Sequence, residues 1–252
     1  MKRWKCAALV AAVILGGFAP ASATIITVTY TGQVADTSYT SELDGVGFFG
    51  PAGGLLAGLP FTAIFITDTT KGSFQSTPPP LSSNRYYGGL IAGTTSPTSL
   101  ILTVGGHQIS VDGSYESFDG AQYYATPYQN QQVPFSQTGQ ESIGDTLTGT
   151  HANFWMQAIA YDLRFPLSLT QPFSSQIDPI NGPAFGEGIF QGYDDHGNFS
   201  LAFLLPTQVT AVVSGASPVP EPPSIALLIV SLAFVGGLRR RNMAKKTVVA
   251  KS

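Results

Sequence analysis

The residue types able to do chemistry are few and scattered. The single cysteine, Cys6, lies within the first ten residues, so the remainder has no disulfide, cysteine zinc site or thiol nucleophile. The three histidines, His107, His151 and His196, each sit in or beside a turn-like sequence. Neither Gly-x-Ser-x-Gly nor His-Glu-x-x-His occurs, so the signatures of a hydrolase elbow and a zincin helix are absent. Gly45-Val46-Gly47-Phe48-Phe49-Gly50 has the spacing of a dinucleotide fingerprint, whose chemistry needs a helix N-terminus facing the pyrophosphate. Pro51, Gly53 and Gly54 follow, which no helix start favours, so a glycine-rich connection between strands is expected.

Glycoside hydrolysis needs two carboxyl groups several ångströms apart. Glu116, Asp119, Glu141, Asp145 and Glu187 are available, but solvated loop charge accounts for them equally well. No catalytic residue is assigned and the chain is not read as an enzyme. Asp194, Asp195 and Asn198 in one turn offer oxygens for calcium. The EF-hand spacing is missing, and Asp-Asp-His-Gly-Asn is equally a turn sequence, so no metal or other cofactor is assigned. Tyr123, Tyr124 and Tyr128, beside Gln129, Asn130, Gln131 and Gln132, read either as a sugar-binding face or as a polar loop over a sheet edge. The threonine-rich run Thr27-Val28-Thr29-Tyr30-Thr31 lacks the repeated flat ladder that binding to ice requires.

The elements that would position these groups read as strands. Residues 24–217 hold Lys71, Arg85 and Arg164 against 14 carboxylates, a net charge of −11. Such a body does not bind nucleic acid by phosphate neutralisation. No 11-residue window there sustains a helical apolar period, whereas strand alternation is frequent. Strands are expected over 26–34, 61–66, 154–165, 188–193, 199–205 and 207–213, and a hairpin over 100–111 turns on Gly105-Gly106. Loops are expected at Ser76 to Asn84, Gln122 to Gly149 and Thr170 to Pro183. Eight to ten short strands with a core of 14 Phe, ten Tyr and Trp155 suggest an all-β, single antiparallel sandwich or jelly-roll-like domain.

Both ends look like addresses. Lys2, Arg3 and Lys5 precede an apolar run from Cys6 to Ala19, and Ala21-Ser22-Ala23 supplies a small-residue cleavage site before Thr24. At the other end Val219-Pro220-Glu221-Pro222 is followed by an apolar run from Ile225 to Leu238 and then Arg239-Arg240-Arg241. The arginines would keep their end cytoplasmic while the body is exported. Each run of 14 residues reaches only about 21 Å as a helix, so the second is a short anchor that needs bilayer thinning or snorkelling.

This order of Pro-Glu-Pro, apolar helix and arginine cluster over residues 218–241 resembles the PEP-CTERM sorting signal of Gram-negative bacteria. The resemblance implies recognition of Pro220, Glu221 and Pro222 by exosortase, a membrane transpeptidase-like protease, with Arg239–Arg241 as the stop signal. The eleven residues after Arg241 are a longer tail than is usual in that family. The opening of the body, from Thr29-Tyr30-Thr31-Gly32 to Phe61 and Asp68, also looks like many PEP-CTERM preprotein bodies. The expected organisation is therefore a signal peptide at 1–23, an exported domain at 24–213, a Ser/Pro linker at 214–224 and a transmembrane helix with basic tail at 225–252. Expected partners are signal peptidase, exosortase, the membrane and exopolysaccharide. The protein would be anchored in the inner membrane before processing and then reach the cell surface or matrix. A structural or interaction role leads; a carbohydrate- or calcium-binding module and a secreted glycan-active enzyme are the alternatives.

Overall fold

Alternation over Thr24–Val34 puts Ile26, Val28 and Tyr30 on one face and threonines on the other, and that pattern is strand-forming. In the computed structural model, which describes residues 24–36, 42–79, 81–124, 135–146, 150–178 and 183–215, such alternation yields strand almost throughout. The strands are β1 (Thr24–Val34), β2 (Leu43–Asp44), β3 (Gly54–Leu55), β4 (Pro60–Asp68), β5 (Ser73–Thr77), β6 (Ser82–Gly88) and β7 (Thr98–Val104). Seven more follow: β8 (His107–Val111), β9 (Glu116–Tyr124), β10 (Phe135–Asp145), β11 (His151–Ala160), β12 (Phe173–Gln176), β13 (Ala184–Tyr193) and β14 (Phe199–Gly215).

All pairings are antiparallel, and one sheet runs β5-β6-β9-β10-β11-β13-β14-β1-β4-β7-β8, with β12 and β2–β3 attached to β14. The sheet curls until its far end returns to its middle. Val111 at the end of β8 bridges Thr146 just past β10, and Ser142 on β10 donates to the Val111 carbonyl. The curl buries one face. Phe65 on β4 meets Tyr30 on β1 edge-on and reaches Phe154 on β11, ring centroids 5.4 Å apart, although four steps of the sheet separate those strands. Phe154, Phe190, Leu102, Leu204 and Met156 complete the interior.

The expected strands and the Gly105-Gly106 hairpin are present, both glycines taking the positive φ (57° and 91°) that a two-residue turn of this type needs. The described residues form 14 strands rather than eight to ten. β11 ends at Ala160 rather than Phe165, where Arg164 turns back to clasp the Asp162 carboxylate. The two expected strands either side of Pro206 are one, β14, because Pro206 falls at a register shift opposite Gly32. A Cβ on Gly32 would lie 2.1 Å from the Leu205 carbonyl oxygen, so only glycine allows that close approach. The three expected loops contain strand: β5 and β6 flank the first, β9 and β10 occupy most of the second, and β12 lies in the third. β10 does not look like a strand because its inward residues, Ser136, Thr138, Gln140 and Ser142, are polar yet buried.

Candidate functional site

The outward face of β9, β10 and β11 follows from register. Gly139 on β10 sits opposite Gly120 on β9, and beyond them the same row holds Arg85 on β6 and Gln157 on β11. Two adjacent strands thus lack side chains at one level. The rows above and below carry Gln122 with Gln137, and Phe118 with Glu141 and Trp155. The result is a groove of about 380 Å³ floored by glycine backbone and walled by amides, one carboxylate and an indole.

Neither glycine is required by the fold. Both have ordinary extended φ, and a Cβ on Gly139 would meet its nearest neighbours, the Met156 carbonyl and Gln157 Cβ, at 3.6 and 3.7 Å. A Cβ on Gly120 would come 3.4 Å from Arg85 Cβ, a contact at the tight end of the ordinary range. The space is therefore left open where a side chain would fit.

The walls are pre-set by a hydrogen-bond ladder. Gln137 Nε2 donates to Gln157 Oε1 at 2.7 Å, and Gln157 Nε2 donates to Glu187 Oε1 at 2.8 Å. At the opposite wall Arg85 Nε donates to Gln75 Oε1 at 2.8 Å while its guanidinium lies 5.0 Å from the Tyr87 ring centroid. Such bonding holds amide edges and a cation in fixed positions. Burial, and secondly the charge of Glu116 on the same face, raise the Glu141 carboxyl above its usual range.

Directly beneath the floor the inward side chains form a polar chain. Tyr30 Oη donates to Gln140 Oε1 at 2.6 Å, and Gln140 Nε2 donates to Asp119 Oδ1 at 2.8 Å and to Thr138 Oγ1 at 3.0 Å. Asp119 is 0% exposed and its Oδ2 has no hydrogen-bond partner. Burial pushes its carboxyl up to about 6, with the Gln140 amide and then the Thr67 hydroxyl pulling the other way. Sequence reasoning placed Asp119 among solvated charges; it lies in the interior. Glu116, Glu141 and Glu187 lie on the outer face, and Asp145 pairs with His151 at 2.6 Å at the ends of β10 and β11. No Ser or Thr hydroxyl hydrogen-bonds to His151 among the described residues.

The glycine-rich segment after β2 does bind an anion, one belonging to the chain itself. Asp44 is 0% exposed; its Oδ1 accepts from the Gly47 and Phe48 amides and the Ser200 hydroxyl, and its Oδ2 from the Phe49 amide. Successive amides of a tight loop make an anion-binding concavity, here filled by the residue that precedes it. The calcium candidates behave as a turn. Asp194 Oδ1 accepts from the His196 and Asn198 amides and Oδ2 from the Asn198 side chain, which holds the Asp194 carboxyl below its usual range. Asp195 adds no further ligand geometry: among the described residues no group of three or more His, Cys, Asp or Glu converges to hold a metal.

Thr24 opens β1, whereas Ala21, Ala23, Val219, Pro220, Glu221, Pro222 and Arg239–Arg241 lie outside the described residues. So do Tyr128 and Gln129–Gln132, and the side chains of Tyr123 and Tyr124 at the end of β9. The candidate aromatic and amide face was expected on the loop that follows Gln122, whereas the described groove draws its indole from β11 and its amides from β9, β10 and β11. Trp155, expected in the core, lies on the outer face instead, and Gln137, Gln157, Gly120 and Gly139 carried no signal, because residues 136–142 are polar or glycine on both faces of β10. None of the family models, curated proteins or solved structures compared with the chain matches it.

Proposed function

We propose that this chain is an exported surface or extracellular-matrix protein, sorted through its PEP-CTERM-like C-terminus, whose curled body acts as a sandwich- or jelly-roll-like carbohydrate-binding module in an exopolysaccharide layer. The observation behind the carbohydrate reading is the glycine-floored groove beside Trp155. An indole plane stacks on the apolar face of a sugar ring, a bare backbone floor lets the ring approach, and fixed amide edges meet its hydroxyls. Thr24 and Gly215 pair at one end of the sheet, so leader and anchor would leave the body side by side. Such an arrangement suits a domain tethered at one end.

Retention of the protein by neutral polysaccharides in affinity electrophoresis tests the reading. Trp155→Ala should weaken retention by about twofold to tenfold, since aromatic stacking contributes about 0.5–1.5 kcal/mol beyond the area it buries. Retention unchanged by that substitution would dismiss the groove as the site. A hydrolytic reading draws on one observation, that the groove's raised Glu141 has Glu116 as a diagonal neighbour on the same face, about 7–8 Å away at Cα. Release of new reducing ends, abolished by Glu141→Gln, would favour that reading over binding alone.

A further inference from the structure

The groove does not stop at Trp155. Side chains two apart on a strand share a face, so Asn153 and His151 continue the outer row of β11, and Ile143 and Asp145 continue that of β10. There a second, more apolar cleft of about 610 Å³ opens between Leu90, Tyr115, Ile143, Asn153, His151 and Tyr193. Its aromatic walls face solvent, Tyr115 being 50% and Tyr193 44% exposed. Asn153 Oδ1, between Trp155 and His151, is shielded from water yet has no hydrogen-bond partner. A sugar hydroxyl would reach that acceptor only if the Asn153 side chain turned outward into the cleft.

Building on the carbohydrate reading of the groove, we propose that the two clefts are one site, which takes an unbranched neutral polysaccharide laid along β11 with aromatic platforms at Trp155 and at Tyr193. The distance favours a chain over a single sugar: Gln157 and His151 are six residues apart, about 20 Å of extended strand. Charge favours a neutral chain. Glu116, Glu141, Asp145 and Glu187 share this face with only Arg85 and His151. Arg85 is already held by Gln75 and Tyr87, and His151 by Asp145. A uronate or sulfate chain would meet uncompensated carboxylates, and like charges at an interface are selected against.

Isothermal titration of the full chain in detergent tests this, using ladders of two to six sugars from cello-, laminari- and malto-oligosaccharides, with polygalacturonate and alginate as acidic probes. The expected result is an affinity rising at least tenfold from disaccharide to hexasaccharide in one neutral series. Tyr193→Ala should remove that rise while leaving disaccharide binding intact, and Tyr193→Phe should restore it; Trp155→Ala should weaken every length. Gly139→Val, which adds a strand-favouring side chain, should raise the melting temperature and abolish binding, separating occlusion from misfolding. Equal affinity for two and six sugars would overturn the extended cleft while leaving sugar binding in the groove. Binding of no neutral series would overturn both readings, and tighter binding of an acidic probe would overturn the charge argument.

Discussion

Asp119 carries an unusual burden for one side chain: a carboxyl with no exposed surface, no facing cation and one unpartnered oxygen. The titratable groups facing it are Tyr30 and Tyr86, both raised by burial and then by the Asp119 charge itself. A folded-state value of about 6 against an ordinary 3.8 means that the native state holds the proton more tightly than the unfolded chain. Its stabilising contribution is therefore complete below about pH 4 and is lost as pH rises through about 6, a change on the order of 3 kcal/mol. Glu141 acts in the same direction, whereas Asp68, Asp162 and Asp194, all lowered and near the surface, favour the fold above about pH 4. Thermal melting should thus peak near pH 4, fall between about pH 4 and 7 and level off toward pH 8, and Asp119→Asn should raise the midpoint at pH 8 but not at pH 4. A wild-type midpoint that climbs steadily from pH 5 to 8 would refute the assignment. Gly139 tests the opposite logic on the other side of the same strand. Replacement by Ala fits the available space without backbone strain, so Gly139→Ala should stabilise the fold by about 0.5–1 kcal/mol in urea unfolding.

The loop between β2 and β3 is held by one carboxylate. Asp44→Ala would leave three amides and the Ser200 hydroxyl without their acceptor, at a cost of about 3 kcal/mol or more measured by denaturant unfolding. Asp44→Asn should recover part of that, because one oxygen remains to accept. This loop also marks how far the elements could be read from residues alone. The glycine spacing was read as a connection between strands, which it is, whereas the gathering of its amides around Asp44 appears only once the loop closes. β1 was legible because Ile, Val and Tyr alternate with threonine, β4 because it is a short β-branched and aromatic run ended by a turn sequence, and β7 and β8 because Gly105-Gly106 joins two such runs. β10 was not legible because its core face is built from Ser136, Thr138, Gln140 and Ser142, which satisfy one another, neighbouring chain and Asp119 instead of burying apolar surface. Since β9 and β10 form the groove floor, the same polar interior that hid the strands hid the site.

At the scale of the molecule, the proposed sorting and the proposed cleft make one geometric demand. Thr24 pairs with Gly215, so the ends that would bear leader and anchor meet at one edge of the β1–β14 ribbon. Tyr193 pairs with Phe199 at the opposite end of β14, sixteen residues and about 50 Å of strand away. The Tyr193 end of the cleft and the residue from which the proposed anchor would continue thus lie at opposite ends of β14. If exosortase cuts at the Pro-Glu-Pro motif, mass spectrometry of surface-released protein should find chains that begin at Thr24, end near Val219–Pro222 and lack Ile225–Leu238. Replacing Arg239, Arg240 and Arg241 with alanine should remove the cytoplasmic stop and reduce that release, while the urea midpoint of the body stays unchanged. A released chain retaining its apolar run, or an uncut membrane-bound chain in a host that makes exosortase, would separate the body's carbohydrate chemistry from this route of delivery.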